Sequence, residues 1–480
     1  MIDELKRLES SARLLETDAG QRAQLLQQVI AYSQAYLEGI ADAPAHGESD
    51  GRALYDSPIG EDGIDIDAAL ALLRDNVDTS GISTTSGRFL GYIPGGGLFP
   101  SALGDYLAAI TNRYAGHFFA SPGAVRVENQ LLRWMASVVG YPKTATGNLT
   151  SGGSAANLLA IVAARDAHAV AGHRLDRSVI YLTEHVHHSV DKALHVAGLD
   201  ACIRQEVPVD SHYRMDAQAL EMAIVSDMMA GLTPWLIVAS AGTTNTGSVD
   251  PLNDIADIAA DHRLWFHADG AYGAFFTLCP EGRSALSGME LSDSLVLDPH
   301  KTLFLPYGTG TVLIKDGSKL YASQNWDAAY MQDIPDDIEE VSPAELSFEL
   351  TKHFRGLRLW LPLKLFGLAP FRAALSEKIL LARYFHREIQ RMPGFEAGPP
   401  PDLSVVIYRY LPARGDADEF NRRLVKRIQE EGRIFISSTR VDGKFVLRLA
   451  ISSFRTHLED IDESLEVLKW TAGRLSDEAG

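Results

Sequence analysis

The chain has 480 residues, 46% of them hydrophobic, which is enough apolar material for two or three domains with sizeable cores. Acidic residues outnumber basic ones, 63 to 44, for a net charge of −19, a balance that argues against nucleic acid or an anionic membrane as partner. Only Cys202 and Cys279 occur, without CxxC spacing, as expected of reduced thiols in a cytoplasmic protein; no apolar run reaches transmembrane length, and Met1-Ile2-Asp3-Glu4-Leu5-Lys6 does not read as a signal peptide.

Residues 1–88 read as a helical segment. Gln21 to Ile30, continuing through Tyr32 to Tyr36, carries apolar residues at helical spacing, and a loop follows near Asp42–Asp50. The segment has no evident core of its own, so it must pack on its own subunit or on a second copy. From 89 to 365 strands alternate with helices, with strands expected at Val179–Leu182, Trp235–Ser240, Leu264–Ala268, Leu295–Asp298 and Gly310–Ile314. This is the α/β pattern of a mostly parallel central sheet with flanking helices. From 366 to 480 the pattern becomes a small α+β unit, with strands at Val405–Tyr410 and Phe445–Ile451 and helices at Glu419–Glu431 and Leu458–Ala472.

Four motifs lie along the α/β region. Thr150-Ser151-Gly152-Gly153-Ser154-Ala155-Ala156-Asn157 leads into the helical run Leu158–Arg165. Small residues let a phosphate approach the backbone, a helix start offers free N–H groups, and Ser154 adds a hydroxyl. An ordinary Gly-Ser loop is the alternative, and neither a Walker A nor a dinucleotide fingerprint is present. His187-His188-Ser189 follows the strand Ser178–Leu182. A flat imidazole there can stack on an aromatic cofactor; a metal site built from His185, His187 and His188 competes but lacks HExxH-type spacing, and a polar turn is a third reading.

Asp269, in His267-Ala268-Asp269-Gly270-Ala271-Tyr272-Gly273, ends the apolar strand that includes Leu264-Trp265-Phe266. A carboxylate at that edge can keep a pyridine nitrogen protonated, although a helix N-cap would look the same. Asp298-Pro299-His300-Lys301 follows the strand Asp293–Leu297. A lysine at a strand's C-terminal edge sits where α/β proteins bind ligands. If desolvated, its amine is a nucleophile toward an aldehyde; a solvated surface charge is the alternative. Together the four motifs describe a site for pyridoxal 5'-phosphate (PLP).

In this order the motifs resemble those of the PLP-dependent group II amino-acid decarboxylases of fold type I, the family of aromatic L-amino acid and glutamate decarboxylases. The resemblance runs from about Asp18 to Glu466; Ala120-Ser121-Pro122, Phe354–Trp360 and Phe445–Ile451 are less specific landmarks. It implies three units: a helical dimerisation segment (1–88), a PLP-binding α/β domain (89–365) and a small α+β domain (366–480). It further implies a homodimer with the active site at the interface. Lys301 would attach the cofactor, Asp269 would pair with its pyridinium, and Ala271 would line the ring. His187 would stack on the ring and help to place the substrate carboxylate. Gly153, Ser154 and His300 would hold the phosphate, and Thr243 or Thr244 would face the ring hydroxyl. Tyr92 and Pro94 would stand at the substrate entrance, and Phe118, with Tyr92, Tyr114 and Phe119, would either hold an aromatic substrate ring or belong to the core.

The chain departs from the family at two places. The stretch from Met331 to Lys352 contains no tyrosine, although relatives carry their Cα proton donor on this loop. Tyr330, at its upstream edge, is the candidate donor, with His187 as alternative. Phe348 lies within the loop, and relatives with Phe there can be oxygen-using aldehyde synthases. Asp298 stands where many animal relatives have Asn; it is expected to point away from the phosphate or to accept a backbone amide. Arg448 is either a carboxylate partner or half of a structural ion pair. Three functions follow: decarboxylation of an amino acid to amine and CO₂, oxygen-using oxidative deamination, and PLP binding without turnover by a dimer.

Overall fold

The computed structural model describes the chain apart from residues 49, 94, 326–339 and 479–480. Its strands are β1 (His46–Glu48), β2 (Ser80–Ile82), β3 (Phe89–Leu90), β4 (Thr146–Thr150), β5 (Ser178–Leu182), β6 (Ile203–Glu206) and β7 (Thr233–Ser240). They continue with β8 (Trp265–Asp269), β9 (Ser294–Leu297), β10 (Gly310–Ile314), β11 (Phe395–Ala397), β12 (Val405–Tyr410), β13 (Phe435–Val441) and β14 (Lys444–Ala450).

β5 shows why the central sheet forms. All five of its residues are buried, and alternate side chains enter opposite cores: Val179 and Tyr181 on one face, Ile180 and Leu182 on the other. The first core takes Met135, Ile255 and Leu375 from the helices Pro122–Val139, Leu252–His262 and Ala369–Ile389. The second takes Leu159, Val190 and Leu194 from the helices Gly153–Ala167 and His188–Val196. Each such side chain contributes roughly 1.5–3 kcal/mol by leaving water. The sheet order is β4-β10-β9-β8-β7-β5-β6. β9, β8, β7, β5 and β6 are parallel, whereas β10 runs antiparallel to both neighbours. The register pairs Ser240 with Asp269 and Asp269 with Val296, so the C-terminal ends of β7, β8 and β9 stand side by side.

A second sheet, β11-β12-β14-β13-β3, belongs to the small unit. β3 pairs parallel with β13, and Leu90 enters the same core as Phe385, Ile436 and Leu449. Phe89–Leu90, assigned from sequence to the start of the large unit, is thus a strand of the small one. Two residues are too short a run to carry a period. The N-terminal segment has helices Ile2–Ala12, Ala19–Gly39 and Ile66–Leu73, none with a buried residue, and an antiparallel β1–β2 ladder where the sequence suggested loop and helix. Among the described residues no helix is long and apolar enough to cross a membrane.

Candidate active site

The ends of β7, β8 and β9 and the start of helix Gly153–Ala167 enclose a cavity of about 410 Å³. Its lining includes Gly153, Ser154, His187, Thr243, Asp269, Ala271, His300 and Lys301. These eight residues, proposed from sequence as cofactor contacts, therefore share one space.

Lys301 sits in the short turn Pro299–Thr302 that follows β9, with Pro299 at its first position, where no amide is needed. Its Nζ lies 3.1 Å from Asp298 Oδ2. Asp298 is buried, and its Oδ1 has no hydrogen-bond partner. It neither turns away nor accepts a backbone amide, contrary to the expectation from sequence. The reason is close packing: a Cβ on Gly153 would fall 2.8 Å from Oδ2, and one on Gly310 2.6 Å from Oδ1, so two glycines let the carboxylate sit against the lysine.

Asp269 closes β8. Its Oδ1 accepts the Ala271 N–H at 3.1 Å, and its Oδ2 accepts Asn157 Nδ2 at 3.0 Å. Asn157 Oδ1 in turn meets His267 Nε2 at 2.9 Å, and His267 Nδ1 lies 2.8 Å from Ser294 Oγ. Burial pushes the His267 pKa down to about 4, so this ring is neutral near pH 7. His187 caps helix His188–Val196, its Nδ1 accepting the Ser189 N–H at 3.2 Å and lying 2.7 Å from Ser189 Oγ. Burial lowers its pKa, and the Asp269 carboxylate partly offsets that. His185 does not join it: that ring packs edge-on against Tyr213, 5.6 Å between centroids.

At the other end of the cavity, helix Gly153–Ala167 starts without a side-chain cap; Ala155 and Ala156 donate to the Gly152 carbonyl, and the Gly153 and Ser154 amides before them remain available to an anion. Ser151, Gly152, Ser154, His300, Tyr307 and Gly308 surround this end. His300 Nδ1 is bonded to the Thr309 carbonyl, and burial lowers the ring's pKa. Neutral His300 therefore carries its proton on Nδ1. Thr243 Oγ1 is committed to Thr246 Oγ1 at 2.7 Å, while the Thr244 side chain lines the cavity beside it.

An uncapped helix start and a serine hydroxyl lie at one end, and an amide-supported carboxylate, an imidazole and a lysine complete the wall. This donor set fits a cofactor with a phosphate at one end and a protonated ring nitrogen at the other.

Other sequence candidates lie elsewhere. Tyr92 adopts φ 51°, is 58% exposed and packs near Phe89 and Phe435, at 6.3 and 6.1 Å. Phe118 lies under the Arg126 guanidinium, 5.0 Å away. Neither lines the cavity. Pro94 and Tyr330 lie outside the described residues. Arg448 forms no ion pair among the described residues: its Nε donates to the Thr244 carbonyl at 2.7 Å and Nη1 to Ser437 Oγ at 3.1 Å.

Asn157, Ser189, His267 and Tyr307 were not picked out as site residues from sequence. For Asn157 a signal existed: it is four residues after Gly153 in one helix and so shares its cavity-facing side.

The sequence profile of the pyridoxal-dependent decarboxylase conserved domain matches residues 53–411. An aromatic-L-amino-acid decarboxylase of Bacillus atrophaeus is 35% identical over 423 residues, 87% of this chain and 88% of that protein. Tryptophan decarboxylase 1 of Oryza sativa subsp. japonica is 30% identical over 433 residues, 84% of each chain. The crystal structure of Oryza sativa TDC with PLP and tryptamine superposes with a TM-score of 0.90 at 26% identity, covering 96% of this chain and 99% of that one.

Proposed function

Because this chain belongs to the pyridoxal-dependent decarboxylase family, we propose that the cavity beside Lys301 decarboxylates an aromatic L-amino acid. The chain is a PLP-dependent amino-acid decarboxylase, a lyase that yields an amine and CO₂. The aromatic preference rests on what the relatives are named for, tryptophan and aromatic L-amino acids. The observation that carries the site assignment is the convergence of Lys301, Asp269, His187 and the uncapped helix start on one cavity.

Bound PLP supplies an aldehyde that captures an amino group and a ring that accepts the electron pair released with CO₂. In our reading Lys301 provides the amine that attaches the cofactor. Asp269, fixed on both oxygens by N–H donors, holds a proton at the ring nitrogen. Gly153, Ser154 and His300 would hold the phosphate, and Ala271 with Thr243 or Thr244 would line the ring. His187 would face the ring and offer Nε2 to the substrate carboxylate. The buried wall excludes water and fixes the scissile bond's orientation, which supplies much of the rate. For the proton that replaces CO₂ at Cα the sequence offers Tyr330, which lies outside the described residues, or His187.

We further propose a cytoplasmic homodimer. Support comes from the N-terminal helices, which bury nothing while Leu14 and Leu15 stand 84% and 88% exposed; a second copy would cover such a surface. The two cysteines are free and buried.

The test is a panel of L-amino acids given to the PLP-loaded protein, following CO₂, amine, aldehyde and oxygen together, with Lys301→Ala as control. Amine in step with CO₂, fastest on tryptophan or tyrosine and absent in the control, is expected. Aldehyde with oxygen uptake would replace the proposed reaction, and preference for an acidic amino acid would overturn the substrate assignment.

A further inference from the structure

Behind the cavity wall runs a hydrogen-bonded chain whose direction is fixed by its two ends. Trp265 Nε1–H can only donate, and it does so to Ser294 Oγ at 2.8 Å. The same hydroxyl lies 2.8 Å from His267 Nδ1 and is the donor there, because Asn157, whose NH₂ faces the Asp269 carboxylate, offers only its Oδ1 acceptor to His267 Nε2. Neutral His267 then carries its proton on Nε2 and donates to Asn157 Oδ1 at 2.9 Å. The amide's two N–H groups remain: one meets Asp269 Oδ2, the other Ser189 Oγ, each at 3.0 Å. An ionised carboxylate only accepts, so Asn157 cannot be turned the other way. Ser189 Oγ, now an acceptor, gives its proton to His187 Nδ1 at 2.7 Å. The Ser189 amide points at the same nitrogen, so neutral His187 has its one proton on Nε2. Trp265, Ser294, His267, Asn157 and Ser189 are all deeply buried, where water does not compete for these bonds.

We infer that Asn157 is a positioning residue: one side-chain amide both aims the Asp269 carboxylate and, by engaging the Ser189 hydroxyl as an acceptor, turns that hydroxyl's proton to His187 Nδ1, where it acts with the Ser189 amide to keep the ring's proton on Nε2. The inference rests on the proposed roles of Asp269 and His187 and adds what keeps them in working form. Asp269 receives a donor that fixes its Oδ2 in place. His187 is left with an N–H, not a lone pair, for a carboxylate-bearing ligand. A single branch point thus serves the ring-nitrogen side and the substrate side of the cavity.

The experiment uses the full chain and reads PLP affinity without substrate, by titration and by the bound cofactor's absorption across pH, with folding checked by circular dichroism and apo-protein melting. Asn157→Leu, close in volume but unable to donate, is expected to weaken PLP binding about tenfold or more, the value of a hydrogen bond to a charged group. Asn157→Asp places a second carboxylate within bonding distance of Asp269; the pair must share a proton. Cofactor affinity should then gain a pH inflection that the parent lacks. This variant keeps the inference open to refutation if the leucine variant does not fold. Ser189→Ala cuts only the His187 branch, so it should leave PLP affinity within about twofold while raising KM for the amino acid several-fold.

Variants that melt lower but keep the parent's PLP affinity, spectrum and pH profile would reduce Asn157 to a structural role and overturn the inference alone. An unchanged KM in Ser189→Ala would overturn the His187 branch. A parent protein that binds no PLP would overturn the cofactor assignment and this inference with it.

Discussion

Lys301 Nζ and Asp298 Oδ2 are 3.1 Å apart, with the carboxylate 1% exposed and the lysine 20%. The same carboxylate lies against Gly153 at the uncapped helix start. It attracts the amine proposed to hold the cofactor and repels a phosphate at that helix. Asp298→Asn removes the repulsion while keeping the shape. It should bind PLP more tightly, roughly tenfold for one buried charge at effective dielectric values near 20. Fluorescence titration of the apo-protein measures this; weaker binding by the variant would show that the ion pair to Lys301 matters more than the repulsion.

His267 gives a pH prediction. Burial depresses its pKa to about 4, from an ordinary value near 6.5. Between those values the unfolded chain binds more protons than the folded one, so stability rises with pH. The contribution is fully present above about 6.5 and lost as pH falls through 4, roughly 3 kcal/mol in all. Urea unfolding from pH 7.5 to 4 should therefore show a shallower loss in His267→Gln than in the parent. Parallel curves would refute the assignment.

A buried ion pair anchors the strand that leads into the cavity. Lys352 Nζ lies 2.9 Å from Glu128 Oε2, and it also reaches Asn148 Oδ1 at 2.7 Å and the Leu149 carbonyl at 3.2 Å, both in β4. Lys352→Met leaves Glu128 buried without its partner and should cost about 3–5 kcal/mol. The double variant Glu128→Leu, Lys352→Met should recover much of that, since two apolar groups leave no buried charge. Calorimetric melting compares the three, and a double variant no more stable than Lys352→Met would contradict the argument.

Arg448 ties the small unit to the cavity wall through the Thr244 carbonyl. Burial lowers its pKa to about 10, which leaves it charged near neutral pH, and a hydrogen bond from a charged donor is worth about 1.5–3 kcal/mol. Arg448→Met should loosen the Gly242–Thr244 segment and raise the PLP dissociation constant about tenfold. A lower melting temperature with unchanged PLP affinity would confine Arg448 to holding the units together.

The residues legible in the sequence are those that end a strand. Lys301, Asp269 and His187 each follow an apolar run whose length and pattern mark where the strand stops, and chain order supplied the rest. Asn157, Ser189 and His267 were hidden because their importance lies in contacts across 32 and 110 positions of sequence, which no local pattern encodes. Asp298 was misjudged from repulsion alone; the attraction of Lys301 and the space left by Gly153 and Gly310 belong to the folded chain. Tyr92 and Phe118 are aromatic, but composition does not say which wall an aromatic ring faces.

β3 makes the small unit discontinuous in sequence. A gene fragment beginning at residue 366 would lack its own edge strand: β13 would present an open row of amides and carbonyls, and Phe435 and Ile436 would lose Phe89 and Leu90 as ladder neighbours. Such an edge pairs with copies of itself. Truncation at that boundary is therefore expected to leave a remnant prone to self-association, and Phe89–Leu90 has to travel with the C-terminal quarter of the chain.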